Sequence, residues 1–510
     1  MAEKIKLFVN GEEVEVESGK NLIDAVGAVG IEIPHLCYHP ALGADGNCRL
    51  CLVGIEDGRP PLVPACKTPA VEGMRVQLDT DKIKKIQKDI MEFELINHPI
   101  DCPVCDQAGE CSLQDYYMKY DCQGSRLMVD KVPKAKRLDF GSGVVHDQER
   151  CILCARCVRF CRQITKTGEL GIVNRTDYAR VAIFPGRPLN NRYALNVVDL
   201  CPVGAMTSAD FRFKQRVWFL EKGEGICHGC SKGCNIYIDH NQEKYREDII
   251  YRFRPRHNEQ VNGYFICDEG RLSYKKENEQ RLLEALKKGK SIDLDKAMEL
   301  AAKIVEQAAK VVILLSPNLS LEQMAAGRSF AKKIGAQISG YSDGMFLAGD
   351  GDDFLIQDDK SANRAGLKML GIDDTEAVFI KALEQADLLI SVDNDLYGAD
   401  GKALEKSLRS ASLIALSSHL SKMTEQAEIA LPIASYSEYA GSVVNCDNIL
   451  QSFTQVIHKT ALPPEADEVI HQLGGPLGSR EEIFNEIKKG SGPLAGVDFQ
   501  RIPAEGLPLT

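Results

Sequence analysis

The spacing of the cysteines is the feature of this sequence that says most about its chemistry. The chain holds 18 cysteines, of which all but Cys446 lie between Cys37 and Cys267. In a reducing compartment, clustered cysteines more often bind metal or carry redox chemistry than form disulfides. They group by spacing into four sets of four ligands, one set completed by a histidine. The sets predict four separate iron–sulfur clusters and therefore an electron-transfer protein.

The first set has the spacing C-x10-C-x2-C-x14-C and follows a hairpin signal. Residues alternate around Asn10-Gly11, a pair that favours a type I′ turn, and a short helix is predicted from Leu22 to Val29. Four thiolates, with a glycine-containing loop around the first three, suit a [2Fe–2S] cluster in a β-grasp ferredoxin domain. A structural zinc site is the alternative. The predicted ligands are Cys37, Cys48, Cys51 and Cys66.

The second set follows a helix predicted over Asp81 to Leu95, which ends before Pro99. Its spacing is H-x3-C-x2-C-x5-C, and three thiolates with one imidazole can hold either zinc or a [4Fe–4S] cluster. Spacing alone leaves both open. Because imidazole is neutral, such a cluster should be easier to reduce than one with four thiolates. The predicted ligands are His98, Cys102, Cys105 and Cys111.

The third set is a C-x2-C-x2-C-x3-C run from Cys151 to Cys161, followed by Cys201-Pro202. In bacterial ferredoxins with two clusters, the fourth cysteine of such a run ligates the other cluster. Residues 190–200 contain no cysteine, so we expect a single [4Fe–4S] cluster, with Cys161 left as a small buried apolar residue. Zinc is the less favoured alternative. The predicted ligands are Cys151, Cys154, Cys157 and Cys201.

The fourth set has the spacing C-x2-C-x3-C-x32-C in a glycine-rich segment, as close approach of backbone to a cluster requires. We interpret His228, inside this segment, as a loop histidine on the solvent side rather than a metal ligand. Cys122 and Cys446 match no set and are interpreted as free thiols. The predicted ligands of this [4Fe–4S] cluster are Cys227, Cys230, Cys234 and Cys267.

Beyond about residue 280 the sequence alternates between strand and helix patterns, which predicts a mainly parallel sheet with covering helices. No G-x-G-x-x-G follows a strand, so a Rossmann-type NAD site is not indicated. Residues 350–353 lack the EF-hand spacing and predict an acidic surface loop. The arginines of residues 251–256 predict a solvated strand face or a subunit contact. The predicted strands are Val311–Leu315, Ala386–Val392 and Ala411–Ser417, and the predicted helices are Leu321–Ile334 and Lys402–Arg409.

Composition narrows the class of protein. Hydrophobic residues make up 44% and charged residues 26%, as in globular proteins. No apolar stretch approaches the roughly 20 residues of a membrane span. The first residues lack an apolar signal core, which predicts a cytoplasmic location. The net charge of −11 argues against a general nucleic-acid binder.

The order of the four sets resembles that of the large iron–sulfur subunit (the G subunit) of bacterial respiratory complex I, NADH:quinone oxidoreductase. The resemblance covers residues 1 to about 275 and is carried by residues 34–40, 98–111 and 150–157. The second of these segments is specific enough to favour [4Fe–4S] over zinc at His98. The fourth set and the segment after it resemble a shortened molybdopterin oxidoreductase. Asp393-Asn394-Asp395 replaces the usual dinucleotide-binding turn, and no cysteine is placed to ligate molybdenum, so molybdopterin is not expected.

The resemblance implies electron relay, with no catalytic residue in this chain. Electrons from NADH would reach a flavin on a neighbouring subunit and pass through the clusters towards quinone, while the whole complex translocates protons. The implied partners are a flavin/NADH-binding subunit, other iron–sulfur subunits of the peripheral arm and, indirectly, the membrane arm. The implied location is peripheral, on the cytoplasmic side of the inner (plasma) membrane. The alternative is a relay subunit of a soluble NAD-linked hydrogenase, formate dehydrogenase or electron-bifurcating complex.

The predicted fold is multidomain, of mixed α/β and α+β class. Its domains are a β-grasp [2Fe–2S] ferredoxin (1–80), a one-histidine/three-cysteine [4Fe–4S] domain (81–135), a bacterial-ferredoxin-like [4Fe–4S] domain (136–215), a [4Fe–4S] domain of molybdopterin-oxidoreductase type (216–275), a degenerate molybdopterin-oxidoreductase-like α/β domain (276–460) and an irregular C-terminal tail (461–510).

Overall fold

A computed structural model describes residues 3–56, 58, 61–120, 124–174, 176, 178–242, 249–396, 411–458, 462–490 and 492–509. The chain divides into two compact units, Met1–Leu220 and Glu221–Thr510. This division lies close to the boundary predicted between residues 215 and 216, and the finer domain boundaries stay predictions. The predicted helix Lys402–Arg409 and the predicted free thiol Cys122 lie outside the described residues.

The first unit begins with a β-grasp arrangement. Its elements are β1 (Lys4–Val9), β2 (Glu12–Glu17), α1 (Leu22–Gly27), β3 (Leu52–Ile55), β4 (Leu62–Pro64), the 3-10 turn Ala65–Lys67 and β5 (Arg75–Gln77). The strand order is β2-β1-β5-β3-β4, with β1 parallel to β5. Asn10 (φ 51°) and Gly11 (φ 89°) both have positive φ, as a type I′ turn requires, so the predicted hairpin is confirmed.

The rest of this unit is built from short elements around cysteine-bearing loops. The elements are α2 (Asp81–Leu95), the 3-10 turn Cys102–Val104, α3 (Ser112–Tyr120), β6 (Leu138–Gly141), β7 (Val144–His146), α4 (Arg156–Arg159), the π-helical turn Phe160–Ile164, β8 (Leu170–Val173), β9 (Arg180–Ile183), α5 (Asn196–Leu200), β10 (Met206–Ser208) and the 3-10 turn Val217–Phe219. Helix α2 has the predicted bounds, and its N-cap is Thr80, whose side chain accepts from the Ile83 N–H. The small sheets are β10-β7-β6 and β8-β9.

The second unit begins with a three-stranded antiparallel sheet that carries the fourth cysteine set. Its elements are β11 (Glu221–Ile226), β12 (Asn235–His240), β13 (Ile250–Pro255), α6 (Asp268–Leu272) and α7 (Tyr274–Asn278). Arg252 and Arg254 donate to the buried carboxylate of Asp239 at 2.6 and 2.7 Å. These two arginines therefore pair with a carboxylate on the neighbouring strand and stay partly exposed, and the alternative of a subunit contact stays a prediction.

A seven-stranded sheet forms the centre of the second unit. Its elements are β14 (Ala285–Lys287), β15 (Lys290–Ile292), α8 (Leu294–Gln307), β16 (Val311–Leu315), α9 (Leu321–Ile334), β17 (Gln337–Ser339), α10 (Arg364–Met369), α11 (Glu376–Leu383), β18 (Leu388–Val392), β19 (Ser412–Ser417), α12 (Lys422–Gln426) and β20 (Ile429–Pro432). The order is β15-β14-β20-β19-β18-β16-β17, and β17, β16, β18, β19 and β20 are parallel. The mainly parallel sheet is therefore confirmed, and β16 and β18 are buried along their whole length.

The C-terminal segment corrects one prediction. Its elements, with those leading to it, are the 3-10 turn Tyr436–Glu438, β21 (Gly441–Val444), β22 (Ile449–Phe453), α13 (Ala466–Gln472), α14 (Arg480–Gly490) and β23 (Leu507–Pro508). Residues 461–510 are not an irregular tail, because α13 and α14 pack against α9 and bury Ile470, Ile483 and Ile487. Glycines 474 and 475 connect two helices. In the described part of the chain no helix is long and apolar enough to cross a bilayer.

Candidate functional site

The first cysteine set lies at one end of the β-grasp sheet. Cys37, Cys51 and Cys66 are buried, and Cys48 is partly exposed. The Cys48 thiol donates to the Cys37 sulfur, which lowers the pKa of Cys37 and raises the pKa of Cys48. Backbone N–H groups of residues 46–48 also point at the Cys37 sulfur. Cys66 and Cys51 form a second pair of the same kind. The four sulfurs are therefore brought together by one loop and one 3-10 turn.

Two buried arginines join this loop to the third cysteine set. Arg156 Nη2 donates to the Tyr38 carbonyl at 2.5 Å, and Arg159 donates to the carbonyl of Gly43 at 2.9 Å and to that of Cys37. Asn47 Nδ2 donates to the Leu153 carbonyl at 3.1 Å. Both arginines are 8% exposed. The loop around Cys37 is therefore held by the segment that carries Cys151, Cys154 and Cys157.

The second set lies between the end of α2 and the start of α3. Burial lowers the pKa of His98 to about 4, so its imidazole is neutral and able to act as a metal ligand at neutral pH. Cys105 and Cys111 are buried, and burial raises the pKa of both thiols. Arg150 holds this loop through a two-point contact with Asp101, at 2.9 and 2.6 Å.

The turn after Cys201 lies directly against the second set. A Cβ added to Gly204 would stand 2.2 Å from the Cys105 sulfur and 3.1 Å from Gln107 Cβ. The Ser112 N–H, at the start of α3, donates to the Pro202 carbonyl at 3.0 Å. Residues 201–204 therefore belong to the surroundings of both sets, with Cys201 facing the third and Gly204 facing the second.

The third set surrounds a small cavity in the first unit. Cys151, Cys154, Cys157 and Cys201 line it together with Arg156. Cys161 is buried but does not line this cavity, and its carbonyl accepts from the Gly168 N–H at 2.9 Å. Burial raises the pKa of the Cys151 and Cys154 thiols to about 12. The structure thus brings together the four cysteines predicted as ligands and places Cys161 elsewhere.

The fourth set surrounds a second small cavity, in the second unit. It is lined by Cys227, Cys230, Cys234 and Cys267. The Gly270 N–H donates to the Cys267 sulfur at 3.2 Å, and the Gly229 N–H donates to the Cys227 sulfur at 3.4 Å. A Cβ added to Gly270 would stand 2.9 Å from the Cys227 sulfur. These glycines therefore let the backbone approach the sulfurs closely.

The prediction that His228 lies on the solvent side was wrong. Its ring packs 4.2 Å from that of Tyr436 and 5.8 Å from that of Phe453, and its Nε2 atom is buried. His228 also lines a cavity of about 560 Å³ at the carboxyl ends of β16, β18 and β19. Asp393 and Asp395 line the same cavity. The imidazole is therefore part of the surroundings of this larger cavity and does not extend the fourth set.

Cys446, predicted to be a free thiol, is exposed and forms no disulfide. The segment 350–353 is a loop, as predicted, in which Asp350 pairs with Lys360.

The four donor sets fit iron–sulfur clusters. Each offers either four thiols or three thiols and a neutral imidazole, and the third and fourth sets each surround a cavity of their own. Glycines 204 and 270 keep side-chain atoms away from the sulfurs. In the described ranges no group of three or more His, Cys, Asp or Glu side chains is placed to hold a single metal ion.

The fold and the sites indicate a multidomain protein with iron–sulfur binding domains. Residues 2–81 match the 2Fe-2S iron-sulfur cluster binding domain, and residues 87–126 match the NADH-ubiquinone oxidoreductase-G iron-sulfur binding region. Residues 141–207 match the ferredoxin-like domain of NADH-quinone oxidoreductase subunit 3. Domains for both [2Fe–2S] and [4Fe–4S] clusters are therefore present.

Curated relatives confirm the resemblance to the large iron–sulfur subunit of complex I. The G subunit of NADH-quinone oxidoreductase from Rickettsia bellii (strain RML369-C) is 36% identical over 337 residues, 65% of this chain and 48% of that one. The same subunit of Rickettsia prowazekii (strain Madrid E) is 39% identical over 278 residues, 54% and 40% of the two chains. The NADH-ubiquinone oxidoreductase 75 kDa subunit of Reclinomonas americana is 35% identical over 339 residues, 65% and 48%. The chain spans about half the length of the curated relatives it matches.

A solved structure of an NAD⁺-reducing [NiFe]-hydrogenase in the H₂-reduced state is a distant neighbour. It is 24% identical with a TM-score of 0.37, covering 42% of this chain and 91% of that one. A likeness at this level carries no argument about function.

Sequence reasoning missed three residues that shape these sites: Arg156, Arg159 and Gly204. A signal was present for each. Two arginines inside a run of buried cysteines must find partners, since buried charges are rarely left alone. A glycine three residues after Cys201 could equally have pointed to close packing.

Proposed function

We propose that this chain is the iron–sulfur electron-relay subunit of a proton-translocating NADH:quinone oxidoreductase. It would hold one [2Fe–2S] cluster on Cys37, Cys48, Cys51 and Cys66, and three [4Fe–4S] clusters on the second, third and fourth sets. Its partners would be a flavin/NADH-binding subunit and the other iron–sulfur subunits of a peripheral arm. That arm would lie on the cytoplasmic side of the inner (plasma) membrane. The similarity to the corresponding subunit of the Rickettsia enzymes supports this assignment.

One observation carries the proposal: the three sets of the first unit are contiguous, and the third set contacts both of the others. Arg156 and Arg159 join the third set to the first, and the turn 201–204 joins it to the second. A contiguous group of redox sites is what an electron relay needs, whereas a metal-stabilised scaffold does not require one.

Bound clusters would supply one-electron transfer, and the chain supplies the surroundings. The predicted ligands of the first unit lie on loops, on 3-10 turns and on the short helix α4. Burial of Cys37, Cys105 and Cys157 keeps water away from the sulfurs. Backbone N–H groups directed at Cys37 favour negative charge there, which tunes the ease of reduction.

The second unit would hold the fourth cluster beside a degenerate molybdopterin-oxidoreductase-like domain. The doubly wound part of its sheet and the cavity at the carboxyl ends of the strands support the likeness to that class of fold. Asp393 and Asp395 at this cavity would repel the phosphates of a dinucleotide. We therefore keep the prediction that molybdopterin does not bind.

The test is anaerobic purification of the tagged chain from native cells, followed by identification of its partners in membrane and soluble fractions. We expect a flavin/NADH-binding subunit and membrane subunits to co-purify. The iron content should be about 14 atoms per chain, with EPR signals for one binuclear and three tetranuclear clusters. Recovery only from the soluble fraction, beside a hydrogenase or a dehydrogenase chain, would refute the respiratory assignment. Zinc in place of iron would refute the relay itself.

A further inference from the structure

Arg156 occupies a position shared by two of the cysteine sets. Its side chain lines the cavity of the third set. Nη1 donates at 3.2 Å to the carbonyl of Leu200, the residue before Cys201. Nη2 donates at 2.5 Å to the carbonyl of Tyr38, the residue after Cys37. One guanidinium therefore contacts the backbone beside a ligand of the first set and beside a ligand of the third.

Among the residues that the structure describes, no carboxylate balances the charge of Arg156. A guanidinium stays protonated in proteins, and burying it without an anion is costly. The side chain is only 8% exposed, and within the described ranges it forms no ion pair with an Asp or Glu. Its Nε atom is buried without a hydrogen-bond partner. Without a bound cluster, the positive charge of the Arg156 guanidinium is therefore buried and uncompensated.

Iron–sulfur clusters would provide the missing anions. A cluster held by four thiolates is negatively charged, and reduction adds one more electron. We infer that Arg156 is a positioning residue common to the first and third clusters, whose positive charge stabilises the reduced state of both. The effect should be larger on the third cluster, because the side chain lines that cavity and reaches the first set only through a carbonyl. This inference rests on the cluster assignment proposed above.

Arg159 provides the matched control. It is equally buried, lies one helical turn from Arg156, and donates to the carbonyls of Cys37, Leu42 and Gly43. It does not line the cavity of the third set. Loss of its charge should therefore disturb the first set and leave the reduction potential of the third cluster unchanged.

The experiment is an EPR-monitored redox titration of the full-length chain, loaded with iron and sulfide under anaerobic conditions. The third cluster is identified as the tetranuclear signal that Cys201→Ser removes. For Arg156→Gln we expect the third cluster to become harder to reduce, on the order of tenfold in its one-electron equilibrium constant, or ~59 mV. The binuclear cluster should shift in the same direction by less. Arg156→Lys keeps the charge and should recover most of both shifts.

Three results would overturn the inference. The first is Arg156→Gln with normal iron content and neither potential moved. The second is Arg156→Lys shifting both potentials as far as Arg156→Gln, since charge would then not be the cause. The third is Arg159→Gln shifting the third cluster by the same amount. A wild-type chain that gives no binuclear or no tetranuclear signal would instead refute the cluster assignment, and the inference with it.

Discussion

Replacing Gly204 by alanine tests the contact between the turn 201–204 and the second set. An added Cβ would lie 2.2 Å from the Cys105 sulfur, about 1.5 Å inside the roughly 3.5–4.0 Å separation of atoms in contact. The φ of Gly204 lies outside the left-handed region, so backbone strain does not contribute. Either Cys105 or the turn must therefore move by more than about an ångström.

The size of that movement sets the expected loss. Metal–ligand distances tolerate only about 0.2 Å, so a displaced Cys105 should no longer complete the second cluster. We expect Gly204→Ala to lose about four iron atoms per chain and the EPR signal of the histidine-ligated cluster. Overpacking should also cost about 1–3 kcal/mol of unfolding free energy, seen as a lower midpoint in thermal or denaturant unfolding.

The control is Gly27→Ala in α1, where an added Cβ meets nothing within 4 Å. This variant should keep its full iron content and its stability. If Gly204→Ala also keeps the second cluster with unchanged iron content and EPR signal, the described contact is wrong. The contact between the second and third sets would then rest on the Arg150–Asp101 pair and on the Ser112–Pro202 hydrogen bond alone.

Two further predictions concern the third set and its surroundings. Cys201→Ser should lose the third cluster, about four iron atoms, while Cys161→Ser should keep it; the opposite pattern in an iron assay would show that the ligand assignment is reversed. Burial lowers the pKa of His146 from 6.5 to about 4, so the folded state binds fewer protons than the unfolded state. In the chain without its clusters, the stability that the neutral ring contributes is present above pH 6.5 and is lost as the pH falls towards 4, by about 2 kcal/mol between pH 8 and pH 5. His146→Gln should flatten this part of the stability–pH curve, and equal slopes for the two proteins would contradict the reasoning.

Local pattern accounted for much of the fold. Helix α2 has the predicted bounds because its apolar spacing, its Thr80 cap and the following Pro99 act within a few residues of one another. Strand β16 is predicted equally well, because it is a short apolar run between turn signals. The cysteines of the third and fourth sets each line one cavity, as their spacing predicts, and their role as cluster ligands stays a prediction.

The sequence alone does not predict contacts between residues that are far apart along the chain. Arg156 reaches Tyr38 across 118 positions, and nothing in either segment specifies the other. The glycines and prolines of residues 461–510 predict an irregular tail, whereas the burial of Ile470, Ile483 and Ile487 depends on α9, which local pattern does not reveal. The burial of His228 is not predicted for the same reason, because Tyr436, whose ring packs against it, lies far along the chain.

The contacts around Cys201 show how the third set, which follows the second in the sequence, also reaches it in space. Cys151, Cys154 and Cys157 follow one another closely, whereas Cys201 arrives only after the β8–β9 hairpin and α5. The hairpin and α5 place the turn after Cys201 against the second set, while the arginines of α4 contact the first set. Arg150, directly before Cys151, already contacts the second set through Asp101, so the compact run 150–157 touches both neighbours. The distant fourth ligand therefore adds a second contact between the third set and the second.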